Sequence, residues 1–419
     1  MGQRPDDIHI TDLTNPQLTD AQKAAIAFGE SLDVRLSEAD ILAQAVKRTG
    51  LSDFGPDDFR ARLRLLVDEW GSDPDLRPLG RFSLQRQLIR AACNRLLIRD
   101  TLVRHPEILN LKIVKPIIVL GLPRTGTTHL LNLMASDRRF RSLPLWESFE
   151  PVPRPGESVS ADGTDPRYQR CADDWANTQM MVPLLEAMHP MNPDHIHEEL
   201  ELMTPDFASY NFEWLAVSPR WRDYYYATDQ TPHYEYMKNV LKILQWMRGP
   251  DRWVLKCPQH LEQIPVLLRV FPDATFVVTH RDPVAVIQSA VTMLAYGQRM
   301  SRRRIDAAGL IVYWSDRVEH LLRACVRDRD LLPAGQSIDV PFHEFMADDM
   351  AMVKRIYDRA GVGMTDQACG DLQRFVAEHP RGKFGQVIYN LERDFGVRPN
   401  DLRQRFDFYC ERFSVRVEN

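Results

Sequence analysis

The chain alternates short, fully apolar runs with longer segments of helical periodicity between residues 115 and 342. The apolar runs predict strands at 115–121, 253–256, 274–280 and 337–342. The periodic segments predict helices at 126–136, 259–270, 283–296 and 306–325. Such alternation indicates an α/β fold, a P-loop-like parallel sheet flanked by helices, whose ligands bind beyond the carboxyl ends of the strands.

The same pattern divides the chain into regions. Residues 1–110 show only helical periodicity and predict an N-terminal helical cap, followed by an α/β core over 111–400. Within the core, residues 151–250 are rich in Pro, Met and aromatic residues, and we interpret them as a helical or irregular insertion for substrate recognition. Residues 401–419 are a C-terminal tail.

A glycine loop follows the first core strand. Compared with the phosphate-loop pattern G-x-x-x-x-G-K-[ST], the segment from Gly121 to Thr128 has both glycines but carries Thr127 in place of the lysine. Arg124 is the cation of this loop. A strand that feeds a glycine loop and then a helix directs backbone amides towards an anion, so the segment predicts a site for a phosphorylated nucleotide.

Two further cations end predicted strands. Lys256 ends the strand at 253–256, and Arg281 follows the strand at 274–280. Ser289 lies eight positions after Arg281, on the first turns of the next predicted helix. A bidentate guanidinium and a hydroxyl suit a phosphate, so Arg281 and Ser289 predict a second anion site.

In their order and spacing, these motifs resemble those of sulfotransferases that use 3′-phosphoadenosine-5′-phosphosulfate (PAPS), particularly the bacterial branch with Pro-Arg-[ST]-Gly-Thr-Thr. The resemblance implies a 5′-phosphosulfate site formed by Pro123, Arg124, Thr125, Gly126, Thr127 and Thr128. It implies a 3′-phosphate site formed by Arg281 and Ser289, completed by a closing segment that contains Arg381, Gly382, Lys383 and Tyr389.

The implied reaction transfers a sulfuryl group to a hydroxyl or amine of a small or lipid-like acceptor and requires no metal. Arg124 and Lys256 are candidates for stabilising the charge that develops in the transition state. Cytosolic phenol sulfotransferases carry a catalytic His where this chain has Pro258, so the general base must come from elsewhere. The candidates are Glu147, His260, Glu198 and Glu199, and the sequence leaves the choice among them open.

Other functions remain open at this stage. A P-loop nucleotide kinase or nucleoside triphosphatase with an atypical loop would bind ATP and depend on Mg²⁺, and a non-catalytic nucleotide sensor would bind without transfer. His195 and His197 suggest a metal site, but we expect them on a helix, where an H-x-H pair points its rings apart.

Composition limits the cellular setting. A net charge of −5 argues against nucleic-acid binding, and six scattered cysteines indicate reduced thiols. No signal-peptide pattern and no stretch of ~18 to 20 apolar residues is apparent. We therefore expect a cytoplasmic protein without an integral membrane segment; a homo-oligomer remains open.

Overall fold

Within the residues that the computed structural model describes, which are 7–249, 252–380 and 382–418, six strands form two parallel sheets. The strands are β1 (Asp7–Ile8), β2 (Ile117–Leu120), β3 (Val254–Lys256), β4 (Thr275–His280), β5 (Ser337–Pro341) and β6 (Gln386–Val387). β1 pairs with β6, and the other four strands form the central sheet in the order β3-β2-β4-β5. The predicted parallel α/β sheet is confirmed.

Side chains of β2 alternate between two apolar cores on opposite faces of the central sheet. Ile118 and Leu120 belong to one core, whereas Ile117 and Val119 belong to the other. All four residues are buried. A strand that is covered on both faces has no polar side, which explains why it reads as an unbroken apolar run.

Helices cover both faces of the sheet and form the cap and the insertion. They are α1 (Asp20–Glu30), α2 (Glu38–Thr49), α3 (Phe59–Gly71), α4 (Pro78–Arg104), α5 (Thr127–Ala135), α6 (Leu145–Phe149), α7 (Pro166–Met181), α8 (Leu185–Met188), α9 (Leu200–Met203), α10 (Asn211–Leu215), α11 (Pro219–Ala227), α12 (Thr231–Met247), α13 (Ile264–Val270), α14 (Pro283–Gly297), α15 (Ala307–Asp328), α16 (Phe342–Ala347), α17 (Asp349–Arg359), α18 (Asp366–Glu378), α19 (Leu391–Phe395), α20 (Pro399–Arg403) and α21 (Asp407–Phe413). Across the described ranges, no helix combines the length and apolarity needed to cross a bilayer. All six cysteines are free thiols.

The predicted core helices are present, with one interruption. The segment predicted as a single helix over 259–270 begins as a 3-10 turn, Pro258–Glu262, and continues as α13. Pro265 lies in the first turn of α13 and has no amide hydrogen to bond back into the 3-10 turn. The chain therefore changes from one helix type to the other at this point.

The N-terminal cap and the insertion share one apolar core. Trp70 of α3 packs in the same cluster as Phe207 and Trp221 of the insertion. The indole Nε1 of Trp70 also donates a hydrogen bond to Ser218 Oγ at 2.8 Å. The cap thus braces the insertion that we interpret as the substrate-recognition region.

The C-terminal tail returns to the central sheet. Its helix α21 packs on α15, and the Tyr409 hydroxyl lies 2.8 Å from His280 Nδ1. His280 is the last residue of β4. The tail therefore ends near the edge of the sheet where the predicted anion sites lie, a position that the sequence did not indicate.

Candidate active site at the carboxyl edge of the sheet

The loop between β2 and α5 has the backbone shape of an anion cradle. Gly121 allows β4 to approach closely, because a Cβ at this position would lie 1.9 Å from Thr279 Oγ1. Gly126 precedes α5 with a φ of +79°, a left-handed conformation that glycine adopts without steric cost. The first amides of a helix have no acceptor within it, so those of α5 are suited to an anion.

The side chains of the loop have different roles. Thr125 Oγ1 donates to the Leu122 carbonyl at 2.7 Å and lies 2.8 Å from Thr279 Oγ1. Thr125 and Thr127 are buried, whereas Pro123 and Thr128 are half-buried. Thr125 therefore holds the loop against β4. Thr128 is the most solvent-accessible of the three threonines.

Arg124 links the loop to three other parts of the chain. Its guanidinium donates to Ser289 Oγ at 2.9 Å, to the Met188 carbonyl at 2.6 Å and to the Tyr389 hydroxyl at 3.3 Å. Its backbone has a φ of +67°, which is uncommon and strained for a residue with a Cβ. The fold thus holds the predicted loop cation in a defined position beside the predicted hydroxyl of the second anion site.

Arg281 brings the two predicted anion sites together. One arm of its guanidinium donates to the main-chain carbonyl of Arg124, and the group lies over the Phe342 ring, 4.0 Å from the centroid. Its Nε and its other arm donate to the two carboxylate oxygens of Glu418 at 2.6 and 2.7 Å. The two predicted sites are therefore adjacent.

Lys256, at the end of β3, is paired with Glu198. Its Nζ donates to a Glu198 carboxylate oxygen, and its backbone amide donates to Glu199 Oε2 at 2.9 Å. Both side chains of the Lys256–Glu198 pair are almost fully buried. Burial raises the pKa of the Glu198 carboxyl above its usual value, and the Lys256 ammonium opposes that rise without cancelling it.

Glu147 is held between two arginines. Arg141 donates to its Oε2 at 2.7 Å, and Arg248 donates to both oxygens at 2.8 and 2.9 Å. The side chains of Glu147 and Arg141 are almost fully buried. Three such bonds occupy both oxygens of the carboxylate and hold it in a fixed position away from an acceptor. These contacts favour a structural role over the predicted role as general base.

His260 and Glu199 are buried next to the end of β3. His260 Nδ1 lies 2.9 Å from the Tyr234 hydroxyl, and its Nε2 lies 4.0 Å from Glu199 Oε1. Both residues are fully buried. Because the other oxygen of Glu199 accepts the Lys256 amide, these two residues are suited to positioning Lys256 rather than to contacting an acceptor.

The expectation that His195 and His197 lie on a helix is wrong. They flank Ile196, which forms an antiparallel bridge with Pro144, so this segment is extended. Their rings are 6.3 Å apart, and His189 lies 5.8 and 6.0 Å from them. In the part of the chain that the structure describes, no group of His, Cys, Asp and Glu is arranged to hold a metal.

The three imidazoles are neutral at ordinary pH. Burial lowers the pKa of His189 to about 3 and that of His195 to about 4, and it lowers the pKa of His197 well below the usual value. Nearby charges on Lys256, and on Arg124 in the case of His189, act in the same direction. The cluster therefore lies near both predicted catalytic cations. No motif in the sequence points to His189, although three His fall within 189–197.

The structure describes only part of the predicted closing segment. Arg381 lies outside the described residues. Gly382 and Lys383 are exposed, and Lys383 Nζ donates to the Glu378 carbonyl at 3.4 Å. Tyr389, in contrast, reaches Arg124.

The chain is similar to known proteins in sequence and in fold. A sequence model of the sulfotransferase family matches residues 116–366. The chain is 28% identical to the crystal structure of sulfotransferase STF9 from Mycobacterium avium, with a TM-score of 0.81 over 93% of this chain and 100% of that chain. It is also 28% identical to STF1 from Mycobacterium tuberculosis H37Rv, with a TM-score of 0.78 over 89% and 99% of the two chains. A curated relative from Mycobacterium bovis, omega-hydroxy-beta-dihydromenaquinone-9 sulfotransferase Stf3, is 24% identical over 66% of this chain and 71% of its own length.

Proposed function

Because this chain belongs to the sulfotransferase family, we propose that it transfers a sulfuryl group from PAPS to a hydroxyl or amine of a small or lipid-like acceptor. The second product is 3′-phosphoadenosine-5′-phosphate (PAP). The observation that carries this proposal is the hydrogen bond from the Arg281 guanidinium to the Arg124 carbonyl. It joins two anion sites that suit the two ends of one bisphosphorylated adenosine.

The residues present fit such a donor. The amides at the start of α5, together with Thr127 and Thr128, would hold the 5′-phosphate. Arg281 would bind the 3′-phosphate, with Ser289 beside it. Two separate phosphate sites and no phosphate-loop lysine favour this donor over ATP, for which that lysine bridges the terminal phosphates.

Transfer requires positive charge where negative charge develops. In the proposed reaction the acceptor oxygen attacks sulfur, the bond from sulfur to the bridging phosphate oxygen breaks, and the acceptor proton passes to a base. Arg124 and Lys256 would stabilise the sulfonate and bridging oxygens, and a well-placed donor of this kind contributes about 3 to 4 kcal/mol.

We assign the base to Glu198. When Lys256 turns to the sulfonate, Glu198 loses its ammonium partner, and its burial then favours uptake of a proton. Glu198 is preferred to Glu147 because both oxygens of Glu147 already accept bonds from arginines.

Two observations support a lipid-like acceptor. The Mycobacterium bovis relative is named for its action on a menaquinone derivative. The insertion, moreover, carries many aromatic and Met side chains, with Met188 and His189 next to Arg124.

The direct test incubates the protein with radiolabelled PAPS and a lipid extract, with and without EDTA, and follows label in the lipid fraction. We expect metal-independent labelling and tight PAP binding by calorimetry. Arg281→Ala should abolish PAP binding, whereas Arg398→Ala, which removes an exposed arginine, should not. Mg²⁺-dependent ATP binding without affinity for PAP would refute the proposal and favour the nucleotide kinase or triphosphatase.

A further inference from the structure

Glu418, in the C-terminal tail, forms an ion pair with the guanidinium of Arg281. Glu418 accepts two parallel hydrogen bonds, at 2.6 and 2.7 Å, from the Nε and one terminal nitrogen of that group. The pair is only partly exposed, at 20% for the Arg281 side chain and 34% for that of Glu418. This two-point geometry is the one by which arginine also recognises phosphate.

The main chain of Glu418 is held as well as its side chain. Its amide donates to Asp282 Oδ2 at 2.9 Å, and Arg403 donates to its carbonyl at 2.8 Å. Arg403 also donates to Asp282 Oδ2 at 3.0 Å. An isolated surface ion pair lacks such main-chain hydrogen bonds. Here they hold the Glu418 carboxylate in contact with Arg281.

A phosphate at Arg281 would need the same edge of the guanidinium. The remaining arm donates to the Arg124 carbonyl, and the Phe342 ring covers one face. We propose that residues 415–418, hereafter the C-terminal clamp, close the donor site by placing Glu418 where the 3′-phosphate of the nucleotide binds. This inference rests on the proposed function, because that function assigns the 3′-phosphate to Arg281.

The clamp lowers the affinity of the site for nucleotides that carry a 3′-phosphate. A nucleotide with a 3′-phosphate must displace Glu418 to take its bonds to Arg281, whereas a nucleotide without that group binds without contacting Glu418. The apparent affinity is reduced by the fraction of molecules that are open, so a clamp that is open in about one molecule in ten weakens PAP binding about tenfold. AMP, which needs only the glycine loop, is not affected.

The test compares PAP and AMP binding by calorimetry in the full chain, in Glu418→Gln and in a chain that ends at Ser414. The matched control is Glu411→Gln, which neutralises an exposed carboxylate in the same region. Thermal unfolding of each protein verifies that it is folded. We expect both clamp variants to bind PAP about three- to tenfold more tightly than the full chain, with AMP affinity and the control unchanged.

Equal or weaker PAP binding in both clamp variants, with the full chain binding PAP, would overturn the clamp and leave the proposed function intact. Loss of PAP binding in all four proteins would instead refute the proposed function, and the clamp with it. Tighter binding of AMP and PAP to the same extent would also overturn the clamp, because the effect would not depend on the 3′-phosphate.

Discussion

The Arg124 guanidinium donates a hydrogen bond to Ser289 Oγ at 2.9 Å, although the two residues are 165 positions apart in the chain. This contact ties the glycine loop to the helix that follows Arg281. With the bond from Arg281 to the Arg124 carbonyl, it makes one site from two motifs. In the proposed reaction, the two ends of the donor would be held by elements that the central sheet brings together.

Arg124→Ala is expected to lower kcat by about a hundredfold to a thousandfold, because it removes a preorganised cation from the transferring group. The measurement is steady-state transfer of radiolabel from PAPS. Arg138→Ala, at a largely exposed position that pairs with Asp371, is the matched control and should retain activity. Equal kcat in the two variants would contradict the assigned role.

Glu198→Gln is expected to lower kcat by ~10² to 10⁴ while PAP affinity is kept, because only the base is lost. Burial raises the pKa of Glu198, and a base acts in its ionised form, so wild-type kcat should rise as pH increases through a value above the ordinary Glu pKa of about 4.3. The kcat of the Glu198→Gln variant should not show this rise with pH. Glu201→Gln, another buried carboxyl whose pKa burial raises, should keep it.

Glu147→Ala is expected to lower the free energy of unfolding by about 3 to 5 kcal/mol, because it leaves the buried Arg141 guanidinium without its partner. Arg248→Ala removes the 46% exposed partner of the same carboxylate and should cost less than about 1 kcal/mol. Denaturant titration measures both values. Wild-type stability of Glu147→Ala combined with a loss of kcat would restore Glu147 as the base.

Gly121→Ala is expected to destabilise the protein by about 1 to 3 kcal/mol or more, because its Cβ would lie 1.9 Å from Thr279 Oγ1. Thermal unfolding measures the effect. Adding Thr279→Ala removes that oxygen and should recover part of the loss. Gly370→Ala, in α18 with nothing within 4 Å of the added Cβ, should be neutral or stabilising by up to ~1 kcal/mol. Equal stability of the two single variants would contradict the close approach of β4 to the loop.

The local hydrophobic pattern was sufficient to predict the core strands and helices, and the short motifs were sufficient to indicate the family. The apolar runs of β2 and β4 are buried on both faces, so their hydrophobicity alone marks them as strands. The glycine loop and Arg281 follow those strands directly, and the parallel sheet brings the strand ends together. The family that these motifs indicated is confirmed by the match over residues 116–366.

Ion pairs between residues far apart in the chain determine the charge environment around these motifs. Glu198 meets Lys256 from 58 positions away, Arg248 meets Glu147 from 101, and Glu418 meets Arg281 from 137. Nothing near these acidic residues in the sequence distinguishes a buried carboxylate from a solvated one. The expectation of a helix at 195–197 was also wrong, because the bridge between Ile196 and Pro144 makes this segment extended and brings the two imidazoles within 6.3 Å of each other.

The sequence by itself determined the order of strands and helices, the phosphate-loop backbone and the cations at the strand ends, because these depend on neighbouring residues and on backbone geometry. Only the tertiary structure decided which carboxylate pairs with which cation. That choice depends on burial and on a few ångströms of separation between segments far apart in the chain. Those separations set which side chains are neutral, which are paired and which are available to a nucleotide.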